Sequence, residues 1–594
     1  MGVEIMNVEA EFHEMEEAVL SDKDVDFHVR DILKSVSLGD CDMYNQLVAV
    51  MHRKKRVAPD EVALLVASLK SLDEAVSCID DQHGSLLASI LGMNLWNHGS
   101  DVMDALLDLI VNLATTSGKY VDLCLEMLVG NFTPPSSFIN ILNHPRGITK
   151  KEQVLSRVHS TLGRITNLVP LATLRLSTLV IQKKPSHFSK EFILAMYVEN
   201  MLRLESGDLG EYVRSAMLSS VVDLLIDLDL EIGWDDILHD DSSKGIFKME
   251  LEDIDETTDD ELKGDIELPR ELSRKSLGRN EHAEKLDSLM VLTFEYLESC
   301  EAGGRLTKVF EVLLQSFQKT ILPAYKSKFA QFVIFYSCAL DPDNCGFRFA
   351  NMLADIFFCN VRPQFERMMA VAYLASYLSR GRFLSTSVVV DMLKRLVGWC
   401  LDYCRMQEGE GRPNAHNVFY SGCQAIMYVL CFRMRSFVDV LQLKSQLFVI
   451  LTHQLSPLKV CLPTVVMEFL RQAKAASLFT ISENFDFDDY LESELSRAFG
   501  GMERLDMFFP FDPCLLKRSD RYLRPHFVYW SMVRPTYDDD DEEGSGDDDE
   551  DMAKSFQEFD LDEFDGALNK MSITPKMSTR MPSRIRPSTS PESL

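Results

Sequence analysis

The chain has 594 residues, of which 46% are hydrophobic, and its 92 acidic and 61 basic side chains give a formal net charge of −31. This apolar content is enough for several domains or for one extended array. The negative charge argues against a protein that holds a nucleic-acid duplex by itself, because neutralising phosphates requires clustered Lys and Arg, and it suits a partner with a basic surface. The longest apolar run, 329–340, is too short to cross a bilayer and fits a buried helix, so we expect no membrane contact.

The N-terminus and the cysteines indicate a cytosolic or nuclear protein. The first residues are acidic and lack the apolar core of a signal peptide, so we do not expect secretion. The 13 cysteines are scattered, with no C-x-x-C pair and no spacing typical of metal ligands. They are typical of reduced core residues.

Helical periodicity dominates the chain. In 101–114 the apolar side chains recur on one helical face, and Ser100 is the expected N-cap. No segment shows the period-2 alternation of a strand, and no clear globular boundary interrupts the helices. This pattern predicts an all-α fold, a HEAT-repeat-like α-solenoid, with a compact all-α multidomain protein as the alternative. Further amphipathic helices are predicted at 151–168, 190–204, 211–230, 283–296, 306–318, 328–339, 364–378, 387–403, 417–433 and 462–475.

Composition divides the chain into six segments. Apolar periodicity stops in 234–279, which is acidic and indicates a disordered loop within the array. Eleven acids lie between 538 and 551, which predicts a disordered tail. The predicted segments are a flexible N-terminus (1–24), the two halves of the array (25–233 and 280–500) with the acidic loop (234–279) between them, a Phe-Pro-rich cap (501–535), and a tail that is first acidic and then basic (536–594).

The block 508–513 contains three phenylalanines and two prolines. The prolines exclude a helix interior or a central strand, and the aromatic rings require burial. We therefore predict an ordered, extended cap that packs on the last helices. A small basic patch follows it, which suits an acidic protein surface or DNA phosphate near a promoter, and we favour protein. The candidate structural or partner anchors are Phe508, Phe509, Phe511, Lys517 and Arg518.

Two further features suggest regulation or targeting. The basic run Arg53, Lys54, Lys55 and Arg56 is a candidate nuclear localisation signal or a contact for an acidic partner; the alternative is a solvated helix end. In the tail, Thr574 and Ser590 each precede a proline. Such dipeptides are minimal sites for proline-directed kinases and are also common in disordered segments.

The search for catalytic motifs finds none. The chain contains no glycine-rich phosphate loop, no zinc-protease motif and no nucleophile elbow. Cys400 and Cys404 share a helix face, but no further ligand pair completes a tetrahedral metal site, and core packing explains them. We predict that the protein is not an enzyme and has no cofactor.

Five sequence blocks resemble a known family. The segments 197–204, 285–290, 419–428, 456–466 and 508–513 are similar to blocks of the RNA polymerase I-specific transcription initiation factors of the TIF-IA type, and they occur in the same order. Any one helix among them would be weak evidence. Together they are specific, although the first 145 residues match only loosely.

This resemblance implies a HEAT-repeat adaptor without catalytic activity. Members of the family bind RNA polymerase I at its stalk and dock and tether it to the promoter-bound core factor, which is the selectivity complex in animals. It further implies regulation by protein kinases and a nuclear and nucleolar location with room for a cytoplasmic pool. The negative charge, by contrast, is the reason that we expect little direct DNA binding. Another HEAT-repeat adaptor, such as a nuclear transport receptor, is the alternative.

Phosphorylation of a serine-rich surface is a property of fungal members of this family. No motif transfers those serines to this chain, so the candidates are chosen by region only. Caps and solvated polar positions are the alternative explanation for them. The candidate phosphosites in the helical array are Ser156, Ser160, Ser186 and Ser189.

Overall fold

Helices follow one another through the part of the chain that the structure describes. The computed structural model describes residues 22–52, 58–142, 144–233, 280–324, 327–406, 413–434, 440–476, 478 and 516–529. All of them belong to one unit, residues 1–534. Within the described ranges, no helix combines the length and apolarity that a membrane crossing needs.

Alternate helices form two layers, in which each helix packs against the next one of its own layer and most helices also pack against a chain neighbour in the other layer. The first layer contains α1 (Asp22–Ser37), α3 (Pro59–Glu74), α5 (Ser100–Ser117), α7 (Pro145–Leu168), α9 (Glu191–Ser206), α11 (Glu281–Ala302), α13 (Phe332–Leu340), α15 (Gln364–Arg380), α17 (Asn417–Arg433) and α20 (Pro463–Ala475). The second contains α2 (Asp42–His52), α4 (Gly84–Leu91), α6 (Val121–Gly130), α8 (Ala172–Gln182), α10 (Gly210–Leu230), α12 (Leu306–Ser316), α14 (Phe347–Phe358), α16 (Thr386–Met406) and α18 (Val440–Leu451). Two short helices, α19 (Pro457–Val460) and α21 (Asp520–Leu523), lie outside this alternation.

Helix α5 illustrates how local sequence sets these elements. The apolar face predicted for it is buried throughout. The N-cap prediction was wrong by one residue: Gly99 is the cap, Ser100 is the first helical residue, and its hydroxyl donates to the Asp101 carboxylate at 3.1 Å. The helix ends at Gly118, whose φ of 64° is the left-handed conformation that glycine adopts without a steric penalty.

The array continues across the acidic segment 234–279. Helices α9 and α10 precede this segment, and α11 and α12 follow it; α11 packs on α9 and α12 packs on α10. The described residues contain one isolated antiparallel bridge, between Gly381 and Phe527, and no strand. The predicted fold class, an all-α solenoid of HEAT type, is therefore confirmed, whereas the acidic segment itself lies outside the described residues.

In the first layer, a buried carboxylate joins α9, which precedes residues 234–279, to α11, which follows them. Glu205, near the end of α9, is 1% exposed. It accepts hydrogen bonds from Arg214 (2.7 Å), from Arg305 before α12 (2.8 Å) and from the Tyr296 hydroxyl of α11 (2.5 Å). Burial raises the pKa of Tyr296, which keeps its hydroxyl a donor. A buried charge needs such partners, because an uncompensated one strongly destabilises a fold.

A second buried carboxylate acts in the same way from the end of α10. Asp229 accepts from the Ser327 hydroxyl (2.7 Å) and from the backbone N–H groups of Lys328 (2.9 Å), Phe329 (3.0 Å) and Ala330 (3.1 Å). These donors precede α13, which begins at Phe332 rather than at the predicted residue 328. The carboxylate therefore holds the approach to α13 against the end of α10.

Replacing Asp229 with Asn tests this role. We expect Asp229→Asn to destabilise the chain by about 1.5–3 kcal/mol, because hydrogen bonds to a charged acceptor weaken and the amide turns an N–H group toward N–H donors. Urea unfolding followed by circular dichroism measures the change. Asp227→Asn, at an exposed position of the same helix, is the matched control; equal unfolding midpoints for the two variants would contradict the proposed role.

Candidate interaction surfaces

The segment 516–529 folds back onto the middle of the array. Phe527 is fully buried among Phe332, Phe335 and Phe383, with ring centroids 5.9, 6.0 and 5.8 Å from its own. On either side of Phe527, the Arg382 amide donates to the His526 carbonyl (2.9 Å) and the Val528 amide donates to the Arg380 carbonyl (2.7 Å). The segment thus packs on α13 and on the end of α15. We call it the C-terminal strap.

A third buried carboxylate holds the other end of the C-terminal strap. Asp287 of α11 is 4% exposed. It accepts hydrogen bonds from the Arg518 amide (2.7 Å), the Ser519 amide (2.8 Å) and the Ser519 hydroxyl (2.6 Å). The Arg518 guanidinium reaches Glu191 (2.9 Å) and the Ser288 hydroxyl (2.5 Å). The strap is therefore tied to the first turn of α9 as well as to α11.

Tyrosines complete this contact. The Tyr522 hydroxyl donates to Glu295 at 3.0 Å, and its ring lies 5.7 Å from that of Phe294 and 6.0 Å from that of Tyr336. The Tyr529 hydroxyl donates to Asp520 at 2.7 Å, and burial raises the pKa of Tyr529. Both hydroxyls stay protonated at neutral pH and act as donors.

The structure covers only part of the predicted site residues. Arg518 lies in the ion pair with Glu191, and Lys517 is exposed beside it. The other predicted anchors, the predicted basic run and the phosphosites of the tail stay predictions, because they lie outside the described residues: Phe508, Phe509, Phe511, Arg53, Lys54, Lys55, Arg56, Thr574 and Ser590.

The four candidate serines of the array differ in exposure. Ser160 on α7 and Ser186 between α8 and α9 are exposed, whereas Ser156 and Ser189 are half-buried. The Ser156 hydroxyl donates to the Gln153 carbonyl at 3.4 Å. A modifying enzyme would therefore reach Ser160 and Ser186 most easily.

The loop that carries Ser186 and Ser189 lies close to the C-terminal strap. Its His187 carbonyl accepts from the Lys285 ammonium at 3.4 Å, and Glu191, which follows the loop, pairs with Arg518. The structure thus brings the loop with Ser186 and Ser189 close to Arg518, near the start of α11. Ser156 and Ser160, on α7, are not part of it.

Sequence reasoning missed the residues that hold this junction together. Asp287 lies in the block 285–290, which carried the family resemblance, but no role was predicted for it. Phe527 lies beyond the predicted phenylalanines in the chain and does not belong to any of the predicted motifs. An acid inside an otherwise apolar helical face was the available signal for Glu205, Asp229 and Asp287.

Loss of the Asp287 carboxylate should release the C-terminal strap. We expect Asp287→Asn to speed hydrogen exchange at the amides of Arg518, Ser519 and Val528, because the strap loses its charged acceptor. Hydrogen–deuterium exchange with mass spectrometry measures this. The control, Glu301→Gln, changes an exposed acid of the same helix. Unchanged protection of the strap in Asp287→Asn would show that its other contacts hold it without this carboxylate.

The geometry defines a helical-repeat protein with long exposed surfaces. Among the described residues, no group of three or more His, Cys, Asp or Glu side chains is placed to hold a metal ion. The described polar clusters instead join helices to one another. The buried polar groups described above therefore serve the packing of the array.

Comparison with known proteins shows which family this chain belongs to. The model of the family described as RNA polymerase I specific transcription initiation factor RRN3 matches residues 18–535, and the chain belongs to this family. A Mus musculus relative, RNA polymerase I-specific transcription initiation factor RRN3, is 28% identical over 491 residues, which cover 75% of this chain and 72% of the relative. A Schizosaccharomyces pombe relative with the same description is 25% identical over 510 residues, which cover 79% of this chain and 80% of the relative. The resemblance predicted from the sequence blocks is confirmed.

A solved structure supports the fold. The crystal structure of RNA polymerase I transcription initiation factor Rrn3 superimposes with a TM-score of 0.68, at 19% sequence identity, over 87% of this chain and 100% of that chain. At this identity the match concerns the fold alone. The two-layer helical array is thus shared with a solved initiation factor.

Proposed function

We propose that this protein binds RNA polymerase I and bridges it to the promoter-bound core factor, so that ribosomal RNA genes are transcribed. The observation that carries the proposal is the family match over 18–535, which includes nearly the whole helical array. The proposed sites of polymerase contact are its stalk and dock. The protein works in the nucleus and concentrates in the nucleolus.

The geometry favours a role as an adaptor without catalysis. The buried polar clusters at Glu205, Asp229 and Asp287 are fully used in joining helices, so they are not poised to act on a substrate. The two layers present separate exposed surfaces, and a bridge between two large assemblies needs at least two. We infer that the array is a rigid spacer between them.

Nucleolar concentration distinguishes this function from nuclear transport. A tagged full-length chain should co-purify with RNA polymerase I subunits from nuclear extract at moderate salt and should concentrate in nucleoli. Concentration at the nuclear envelope with no co-purified polymerase would contradict the proposal and favour a transport receptor.

We infer further that phosphorylation on the first-layer surface and on the α8–α9 loop weakens the polymerase contact. A phosphate adds about −1.5 to −2 charges. Added to a chain that is already acidic, this charge should repel an acidic or apolar partner patch. Ser160 and Ser186 are the candidates, because their side chains are exposed.

Paired substitutions test this regulation. We expect Ser160→Asp with Ser186→Asp to reduce co-purified polymerase about tenfold, which corresponds to about 1.4 kcal/mol. Ser37→Asp with Ser387→Asp is a control with the same added charge at exposed positions elsewhere in the array. Helicity is checked by circular dichroism. Equal polymerase recovery with both variants would remove Ser160 and Ser186 from the regulation without contradicting the adaptor function.

A further inference from the structure

A short turn joins α15 to α16 and ends at Ser385. The Gly381 carbonyl accepts hydrogen bonds from the Leu384 amide at 3.3 Å and from the Arg433 guanidinium of α17 at 2.5 Å, and these bonds fix the shape of the turn. Ser385 follows directly and precedes Thr386, the first residue of α16. Ser385 is exposed, so a modifying enzyme can reach its hydroxyl in the folded chain.

Two arginines precede Ser385 in the sequence. Arg382 lies three residues before it and Arg380 lies five residues before it. This spacing is typical of substrates of basophilic protein kinases, whose substrate grooves carry carboxylates that pair with guanidinium groups. Arg382 is exposed, whereas Arg380 is 3% exposed and donates to the Tyr428 hydroxyl at 2.6 Å. In the folded chain, Arg382 is therefore the arginine that such a kinase would bind.

Local conformation distinguishes Ser385 from other residues with the same spacing. A kinase binds the residues before its target in an extended conformation, which a helix allows only after local unfolding. The residues from Arg382 to Ser385 lie between two helices, so they can be extended without unwinding either one. Within the described ranges, four further serines or threonines follow an arginine by three residues, and each belongs to a helix: Thr149, Ser160, Thr178 and Ser206.

The surroundings of Ser385 suit an added phosphate. The Ser385 hydroxyl lies 3.1 Å from the Ser387 hydroxyl and accepts from the Val388 amide at 3.5 Å, so its hydrogen bonds are weak. Because Ser385 precedes α16, a phosphate there would lie at the positive end of the helix dipole. Burial and the positive charge of Arg382 lower the pKa of Arg433, which places two guanidinium groups near one another at this turn. A negative group would reduce their repulsion.

We propose that Ser385 is a phosphorylation site for a basophilic serine kinase that uses ATP. The Ser385 Oγ forms a bond to the γ-phosphorus of ATP, the bond from that phosphorus to the oxygen bridging the β-phosphate breaks, and ADP leaves. The hydroxyl proton passes to the catalytic base of the kinase. The phosphate adds about −1.5 to −2 charges at the start of α16. This site is separate from Ser160 and Ser186, and it does not depend on the polymerase contact proposed above.

The phosphate would strengthen the attachment of the C-terminal strap. The Arg382 amide donates to the His526 carbonyl at 2.9 Å, and the Phe383 ring lies 5.8 Å from that of Phe527. The turn before Ser385 is therefore one of the surfaces on which the strap packs. A phosphate bound by the amides at the start of α16 would hold this turn more firmly and reduce opening of the strap.

Phosphorylation of the folded full-length chain tests the site. The chain is incubated with ATP and the purified catalytic domain of a kinase specific for Arg-x-x-Ser, and peptide mass spectrometry follows the phosphate at Ser385. We expect Arg382→Ala to slow this reaction at least about tenfold, because the kinase loses its charged partner. Lys394→Ala, which removes an exposed cation from α16, should leave the rate unchanged. Circular dichroism checks that both variants are folded.

Two results would overturn the assignment. One is the absence of phosphate at Ser385 while the same kinase phosphorylates a standard Arg-x-x-Ser peptide. The other is an equal rate in Arg382→Ala and in the unaltered chain. RNA polymerase I is not a component of this reaction, so either failure is distinct from failure of the proposed polymerase contact.

Hydrogen exchange tests the effect on the strap. We expect phosphorylation of Ser385 to slow exchange at the amides of Val388 and Val528 about two- to fivefold at low salt, and less at high salt, because the interaction is electrostatic. Ser385→Ala treated with the same kinase is the control for phosphate at other positions and should show no change. The amides of α8 serve as the internal reference. Unchanged or faster exchange at Val388 and Val528 would overturn the stabilising effect of the phosphate.

Discussion

Three buried carboxylates connect parts of this chain that are far apart in sequence. Glu205 bonds to Arg305, 100 residues away, Asp229 to Ser327, 98 residues away, and Asp287 to Ser519, 232 residues away. In most of the array, neighbouring helices are also neighbours in the chain, and short connections keep them together. At these three places no short connection exists, and each carboxylate supplies several directional bonds instead.

These carboxylates also constrain the fold. Removing a charge from water is costly, and only a full set of donors compensates for it. Each acid is therefore satisfied in one arrangement of its neighbouring helices and poorly satisfied in others. Apolar packing drives the helices together without strong directionality, whereas the buried acids specify which helices meet across residues 234–279 and where the C-terminal strap lies.

The surfaces follow from this rigid array. Because alternate helices form separate layers, α7, which carries Ser160, belongs to one layer, and α4 and α6 belong to the other. The C-terminal strap crosses from α11 to the end of α15 and so holds the middle of the array, where the loop with Ser186 also lies. The adaptor role proposed above would require contact surfaces that are separate and firmly connected, and the packing of alternate helices into two layers supports that proposal.

Much of the fold could be predicted from the sequence because helical periodicity is a local property. The apolar face of α5 and ten of the helices from α7 to α20 follow from residues three and four apart, whereas α8, α14 and α18 were not predicted. The ordered family blocks pointed to the RNA polymerase I initiation factors. The error at the cap of α5, which is Gly99, was local, whereas α13 begins at Phe332 because the preceding amides bond to the distant Asp229.

Only the tertiary structure decided the long-range contacts. The sequence drew attention to the Phe-Pro block and to Arg518, but it could not show that Phe527 is the ring buried among Phe332, Phe335 and Phe383, or that Arg518 pairs with Glu191. It likewise could not show that the turn before Ser385 contacts the C-terminal strap. Periodicity determines which face of a helix is buried, whereas the partner of a buried acid or ring depends on how distant helices meet in space.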